Sequence, residues 1–155
     1  MIRSILFVCT ANICRSPTAE GVLRKLLAAQ GAAARIEVAS AGTHAIRQGA
    51  PPSPRAVQAA HRRGYDVAQH VARAVVSGDF DRFDLILAMD RPSYEHLAAI
   101  APTRCKPKIE MFLEYGNAFR GGEVPDPYGG DDKDYEAALD RIEDGCNGLA
   151  ALLVR

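Results

Sequence analysis

The sequence predicts an α/β fold: a single domain built on a four-stranded parallel twisted sheet flanked by helices on both faces, with a phosphate-binding loop between strand 1 and helix 1. Three observations lead there. Apolar runs of strand length occur at residues 4–8, 35–40, 84–88 and 108–111. Segments with helical spacing of apolar residues, at 18–30, 54–64, 91–100 and 132–153, alternate with them. Such alternation is the signature of parallel strands linked by crossover helices. Finally, the first strand runs straight into Cys9-Thr10-Ala11-Asn12-Ile13-Cys14-Arg15-Ser16-Pro17 and then into a helix.

Each element has its own justification. Ile5-Leu6-Phe7-Val8 is apolar without alternation, as a strand buried on both faces must be. Ser16 is a favourable N-cap and Pro17 a favourable first helical residue, so the first helix is expected to begin there. Gly31, Gly64 and Gly116 fall at the ends of elements. Residues 42–54 are rich in Gly and Pro and read as a long surface loop beyond the second strand. Open α/β sheets bind ligands at the carboxyl ends of their strands. The Cys9 loop, Ser40 and Met89-Asp90 all fall at such ends.

The 155 residues suffice for one core, so one domain is expected over 1–155. Nineteen basic and nineteen acidic side chains cancel, which gives no general affinity for nucleic acid or membrane. Met1-Ile2-Arg3-Ser4 leads directly into the first strand, too short an apolar stretch for a signal-peptide core. No apolar run approaches a membrane span, and the cytoplasm is the expected compartment. The cysteines are Cys9, Cys14, Cys105 and Cys146; in a chain without an export signal they are expected as thiols. Cys9 and Cys14 have no second Cys/His pair at metal spacing, so neither a metal nor a cofactor is expected.

The chemistry follows from the first loop. A loop ending at a helix N-terminus gathers unpaired backbone N–H groups and the positive end of the helix dipole, which suits an anion. Thr10, Ala11, Asn12, Ile13, Cys14 and Ser16 would form that cradle. Cys9 and Arg15 stand at its two ends, with five residues between them. A cysteine in such a position, beside an arginine, commonly ionises near neutral pH. The thiolate can attack phosphorus while a guanidinium grips two phosphate oxygens. The pattern therefore points to phosphate-ester hydrolysis through a phosphocysteine. The leaving oxygen needs a proton, and Asp126, between Pro125 and Pro127, is the candidate acid. By their residue types alone, Ser40 and His70 read as a turn residue and a surface histidine. Asp90 is placed to cap the helix starting near Arg91-Pro92 and to orient Arg15, two roles that are compatible.

The string V-C-T-A-N-I-C-R-S-P-T-A-E and the late D-P-Y resemble the low-molecular-weight protein tyrosine phosphatase family. Between them S-A-G-T-H, P-R-A-V, G-Y-D-V-A-Q-H-V-A-R and D-L-I-L-A-M-D agree in order, so the resemblance covers almost the whole chain. It implies Cys9 as nucleophile, Arg15 as phosphate clamp and Asp126 as acid and then base, without a metal. It also implies that Asn12, Ser40 and His70 hold the phosphate loop by hydrogen bonds. Cys14 would be a partner for a reversible protective disulfide with Cys9. Phosphotyrosine proteins and aryl phosphates are the implied substrates, with a tyrosine kinase as a cognate partner, and the short D-P-Y-G resembles bacterial members.

Two positions depart from the family pattern. Ile46 stands where many members place an aromatic wall, and Tyr128 is followed by Gly129 rather than a second tyrosine. Loss of ring-on-ring stacking is worth roughly 0.5–1.5 kcal/mol. Related classes fit less well. Thioredoxin-linked arsenate reductases share the loop but need two further mid-chain cysteines, and none lies between Cys14 and Cys105. Protein arginine phosphatases carry Thr where this chain has Ile13. A non-catalytic phosphate-binding module would have lost Cys9, Arg15 or Asp126.

Overall fold

Strand β1 (Ser4–Cys9) is apolar from Ile5 to Val8 because both its faces are covered there. In the computed structural model, which describes residues 1–155, it lies inside a four-stranded sheet. It pairs in parallel with β2 (Glu37–Gly42) on one side and β3 (Leu85–Ala88) on the other. β3 pairs in parallel with β4 (Ile109–Met111), giving the order β2-β1-β3-β4. The pleat sends Ile5 and Phe7 into a layer of 31 buried residues shared with helices α1 (Arg15–Ala29), α2 (Pro54–Arg62) and α5 (Asp132–Leu153). Leu6 and Val8 enter a smaller layer of 11 under α3 (Asp79–Arg82) and α4 (Arg91–Ile100). Phe7 meets Phe112 edge-on, with ring centroids 5.3 Å apart. No helix is long and apolar enough to cross a membrane.

The strand order reverses direction at β1, so a crevice opens beyond the carboxyl ends of β1 and β3. The loop after β1 and the Met89-Asp90 step after β3 border that crevice.

Two expectations about element ends are corrected, and one helix had no expectation at all. Helix α1 starts at Arg15, with Cys14 in the cap position and Pro17 as its third residue; Ser16 is not the cap. Its hydroxyl is instead taken up inside the loop, by Asn12 and Cys9. β2 begins at Glu37 and runs to Gly42, keeping pace with β1 from Ser4↔Glu37 to Cys9↔Gly42, while residues 33–35 form a 3-10 turn. The four-residue helix α3 is too short to leave a periodic trace in sequence.

The segment after β2 is less detached than a surface loop. Thr43 N donates to Cys9 O at 2.8 Å, His44 N to Thr10 O at 3.2 Å and Ser53 N to Ile13 O at 2.9 Å. The close approach begins at Gly42, where a Cβ would lie 2.6 Å from Thr10 O and 3.1 Å from the Asn12 nitrogen. Gly42→Ala must therefore push the phosphate loop or the end of β2 out of place. We expect it to destabilise the fold by about 1–3 kcal/mol, the usual cost of overpacking. Thermal or urea unfolding measures this, and a variant as stable as the unaltered chain would show that the two segments are not pressed together.

Candidate active site

Asn12 is the only non-glycine residue with a positive φ, at 60°, and it is fully buried. Asparagine tolerates this conformation better than other side-chain-bearing residues because its short amide bonds locally. Here the amide is saturated. Its nitrogen donates to Ser16 Oγ at 2.8 Å and to Ser40 Oγ at 3.0 Å. Its oxygen accepts from His70 Nε2 at 2.9 Å and from the Arg73 backbone N–H at 3.0 Å. His70 Nε2 also lies 3.1 Å from Asn12 O, and since both partners only accept, that ring nitrogen carries the proton. Beyond Ser40 the chain of bonds ends at a carboxylate: Ser40 Oγ donates to Glu20 Oε1 at 2.7 Å.

These contacts decide which way the loop faces. The carbonyls of Cys9, Thr10, Asn12 and Ile13 are occupied by donors from outside the loop. The N–H groups of residues 10–15 donate to nothing within the chain. Uncompensated donors of that density at a helix start make a cradle for an anion.

Arg15, the first residue of α1, is almost completely buried. Its Nη1 donates to Asp90 Oδ2 at 2.6 Å and to Val124 O at 3.0 Å, and its Nη2 reaches Thr10 Oγ1 at 3.5 Å. Its Nε is buried with no acceptor, one more donor left over. Burial disfavours the charge of Arg15, but the Cys9 sulfur and Asp90 outweigh it, so the guanidinium is held charged. Burial likewise opposes ionisation of Asp90, yet its bonds from Arg15 and Ser93 hold its carboxyl below the usual range. Asp90 thus fills both places its position allows: it pairs with Arg15 and caps α4 through Ser93 N at 2.9 Å.

Cys9 Sγ sits 3.0 Å from Ser16 Oγ. Cys14 has another environment: its sulfur lies 3.8 Å from Tyr135 OH, which also meets Ser53 Oγ at 3.1 Å. Burial pushes the Cys14 thiol up to about 11 despite those hydroxyls. All four cysteines are unpaired, and Cys146 is buried in the core.

Asp126 is brought to this loop from far along the chain. Val124 N donates to Met89 O at 2.9 Å while Val124 O takes the bond from Arg15, so the Asp126 segment is stitched against the end of β3. Asp126 Oδ2 lies 3.7 Å from Arg15 Nη2, and Asp126 Oδ1 accepts from Tyr128 N at 3.1 Å. A pocket of about 200 Å³ opens between them, lined by Cys9, Thr10, Ala11, Ile13, Cys14, Arg15, Ile46, Arg47, Asp126 and Tyr128. Ile46 and Tyr128 form its exposed rim.

Glu20, Val124 and Arg47 belong to this arrangement and were missed by sequence reasoning. Glu20 had one visible signal: an acid among the buried positions of α1, between Ala19 and Val22. Arg47 was visible as a lone cation in the loop after β2. Val124 acts through its backbone and leaves no residue-type signal.

The lowered Asp90 value carries a sign. Its stabilisation is complete above the unfolded-state carboxyl value near ~3.9 and is lost as pH falls through the lower folded-state value. At neutral pH, Asp90→Asn leaves a buried guanidinium without its counter-charge and is expected to cost about 3–5 kcal/mol. The gap between variant and unaltered chain should narrow as unfolding is followed down to acid pH. A gap independent of pH would show that the ion pair is not the source.

With this geometry in view, the chain's relatives are informative. Residues 4–155 match the family described as low molecular weight phosphotyrosine protein phosphatase. A low molecular weight protein-tyrosine-phosphatase of Streptomyces coelicolor is 39% identical over 156 residues, covering 97% of this chain and 93% of the relative. The human low molecular weight phosphotyrosine protein phosphatase is 38% identical over 149 residues, covering 95% and 93%. The crystal structure of a protein tyrosine phosphatase from Entamoeba histolytica, with Hepes in its active site, superposes with a TM-score of 0.94 at 37% identity, covering 97% of this chain and 96% of that one. This chain belongs to the low molecular weight protein-tyrosine phosphatase family.

Proposed function

We propose that the protein hydrolyses phosphotyrosine and aryl phosphate monoesters through a phosphocysteine on Cys9. The observation that carries this is the convergence of the Cys9 sulfur, the unpaired N–H groups of residues 10–15 and the orphan Arg15 Nε on one pocket. The substrate phosphoryl group takes up those donors, and Arg15, held by Asp90, binds two of its oxygens in the transition state. The Cys9 thiolate attacks phosphorus in line with the aryl oxygen: the S–P bond forms as the P–O bond breaks. Asp126 gives its proton to the departing oxygen. As a carboxylate it then takes a proton from the water that attacks phosphocysteine, releasing phosphate and restoring the thiolate. The Ser16 hydroxyl, whose oxygen accepts from Asn12, reaches Ala41 O only at 3.4 Å and turns its proton to the nearer sulfur, 3.0 Å away, as charge returns to it.

Cys9 rather than Cys14 is the nucleophile in this reading, because Cys14 stays a neutral thiol at physiological pH. Ile46 and Tyr128 flank the substrate ring, with affinity reduced by the missing second aromatic wall. Ile13 offers the pocket no hydroxyl, which favours an aryl over a guanidino leaving group. Phosphotyrosine proteins, a cognate tyrosine kinase among them, are the partners this chemistry fits. A reducing compartment such as the cytoplasm suits an enzyme that needs a free thiolate.

Hydrolysis of para-nitrophenyl phosphate in the presence of a chelator tests the reading. Cys9→Ser should abolish turnover, Asp126→Ala should lower kcat about 10²–10⁴-fold, and Cys14→Ser should leave most activity. If the reduced, unaltered protein binds phosphate but turns nothing over, it is a binding module and the catalytic reading fails.

A further inference from the structure

One cation at the pocket mouth has no anion. Arg15 is balanced by Asp90, and Arg55, on α2, by Asp132; Arg47 makes no ion pair. Its Nη2 donates to the Tyr128 hydroxyl at 2.7 Å, and its Cζ lies 5.6 Å from the centre of that ring. One neutral oxygen leaves most of a guanidinium's five donors unused. Arg47 follows Ile46 in the chain and shares the pocket wall with Ile46 and Tyr128. It therefore stands beside the path of the substrate ring, at the rim rather than at the phosphate.

We propose that Arg47 reads an anionic group next to the phosphotyrosine, so that the preferred substrates carry an acidic side chain or a second phosphate beside the target tyrosine. This rests on the phosphotyrosine-hydrolase reading above and names the substrate class within it. With Ile46 in place of a ring, apolar contact is weak on one side of the substrate, and an unpaired guanidinium supplies binding of another kind. Carboxylate and phosphate both match its planar fork. The acid nearest the site, Asp126, is already engaged with Tyr128 N and Arg15. A contact so far from the breaking bond is made equally in ground and transition states, so it lowers KM and leaves kcat unchanged. Being exposed, it weakens with salt.

The competing role for Arg47 is to prop Tyr128 in place, and Tyr128→Phe separates the two. The experiment measures kcat and KM on peptide pairs in which the residue beside phosphotyrosine is Glu or Gln, and phosphoserine or serine. The unaltered protein should show a KM about two- to fivefold lower for the charged member, a ratio that shrinks at high salt. A preference for only one of the two anions supports the proposal and identifies the source. Arg47→Gln should bring the ratio to one, Arg47→Lys should keep part of it, and Tyr128→Phe should keep it whole. Equal KM values in the unaltered protein overturn the proposal, as does a preference that survives Arg47→Gln or is lost in Tyr128→Phe. If neither the peptides nor para-nitrophenyl phosphate is hydrolysed by the unaltered protein, the underlying hydrolase reading falls with it.

Discussion

The site depends on one buried amide held in an unfavourable backbone conformation. Asn12 sits at a φ of 60° and spends every hydrogen-bonding position of its side chain on Ser16, Ser40, His70 and Arg73. The left-handed conformation costs roughly 1–2 kcal/mol for an ordinary residue. Four bonds in a buried setting, each worth about 1 kcal/mol net, offset it. The consequence is orientation: the loop's carbonyls are drawn outward to neighbouring segments, and its N–H groups are left free. A cradle of unpaired N–H donors suited to an anion is thus built into the fold itself.

The same economy joins the three segments that meet at the pocket. Arg15 bonds Asp90 at the end of β3 and Val124 on the segment leading to Asp126, while its own backbone begins α1. Removing its charge would therefore disturb the placement of the Asp126 segment as well as the donors that face the pocket. The two loop cysteines differ for physical reasons of the same sort. Cys9 faces the pocket beside a hydroxyl donor, whereas Cys14 is turned toward Tyr135 and burial keeps it protonated. One loop thereby holds two sulfurs in unlike settings, Cys9 lining the pocket beside Ser16 and Cys14 packed against Tyr135.

The sheet and the loop were legible because their demands are local. A strand buried on both faces must be apolar at every position, as Ile5 to Val8 are, and the spacing of Cys9 and Arg15 is carried within one turn of chain. The support was not legible from pattern. Ser40 and His70 lie 28 and 58 residues from Asn12, and nothing in either side chain's own neighbourhood announces the meeting. They were reached through resemblance alone. Ser16 misled for an instructive reason: cap preference is a local energy, and two stronger partners inside the loop outbid the helix terminus for its hydroxyl. Gly42 read as part of a Gly- and Pro-rich loop, while its role is to let β2 pass against Thr10 without a Cβ.

The central claim is that Cys9 carries the phosphoryl group. It is tested most directly by rapid mixing of the Asp126→Ala variant with radiolabelled aryl phosphate, followed by denaturing quench and peptide mapping. In that variant the first step survives for a good leaving group while the attack of water is slowed, so label should accumulate on the peptide holding Cys9 and vanish in Cys9→Ser. Label on any other residue, or none during active turnover, would contradict the account.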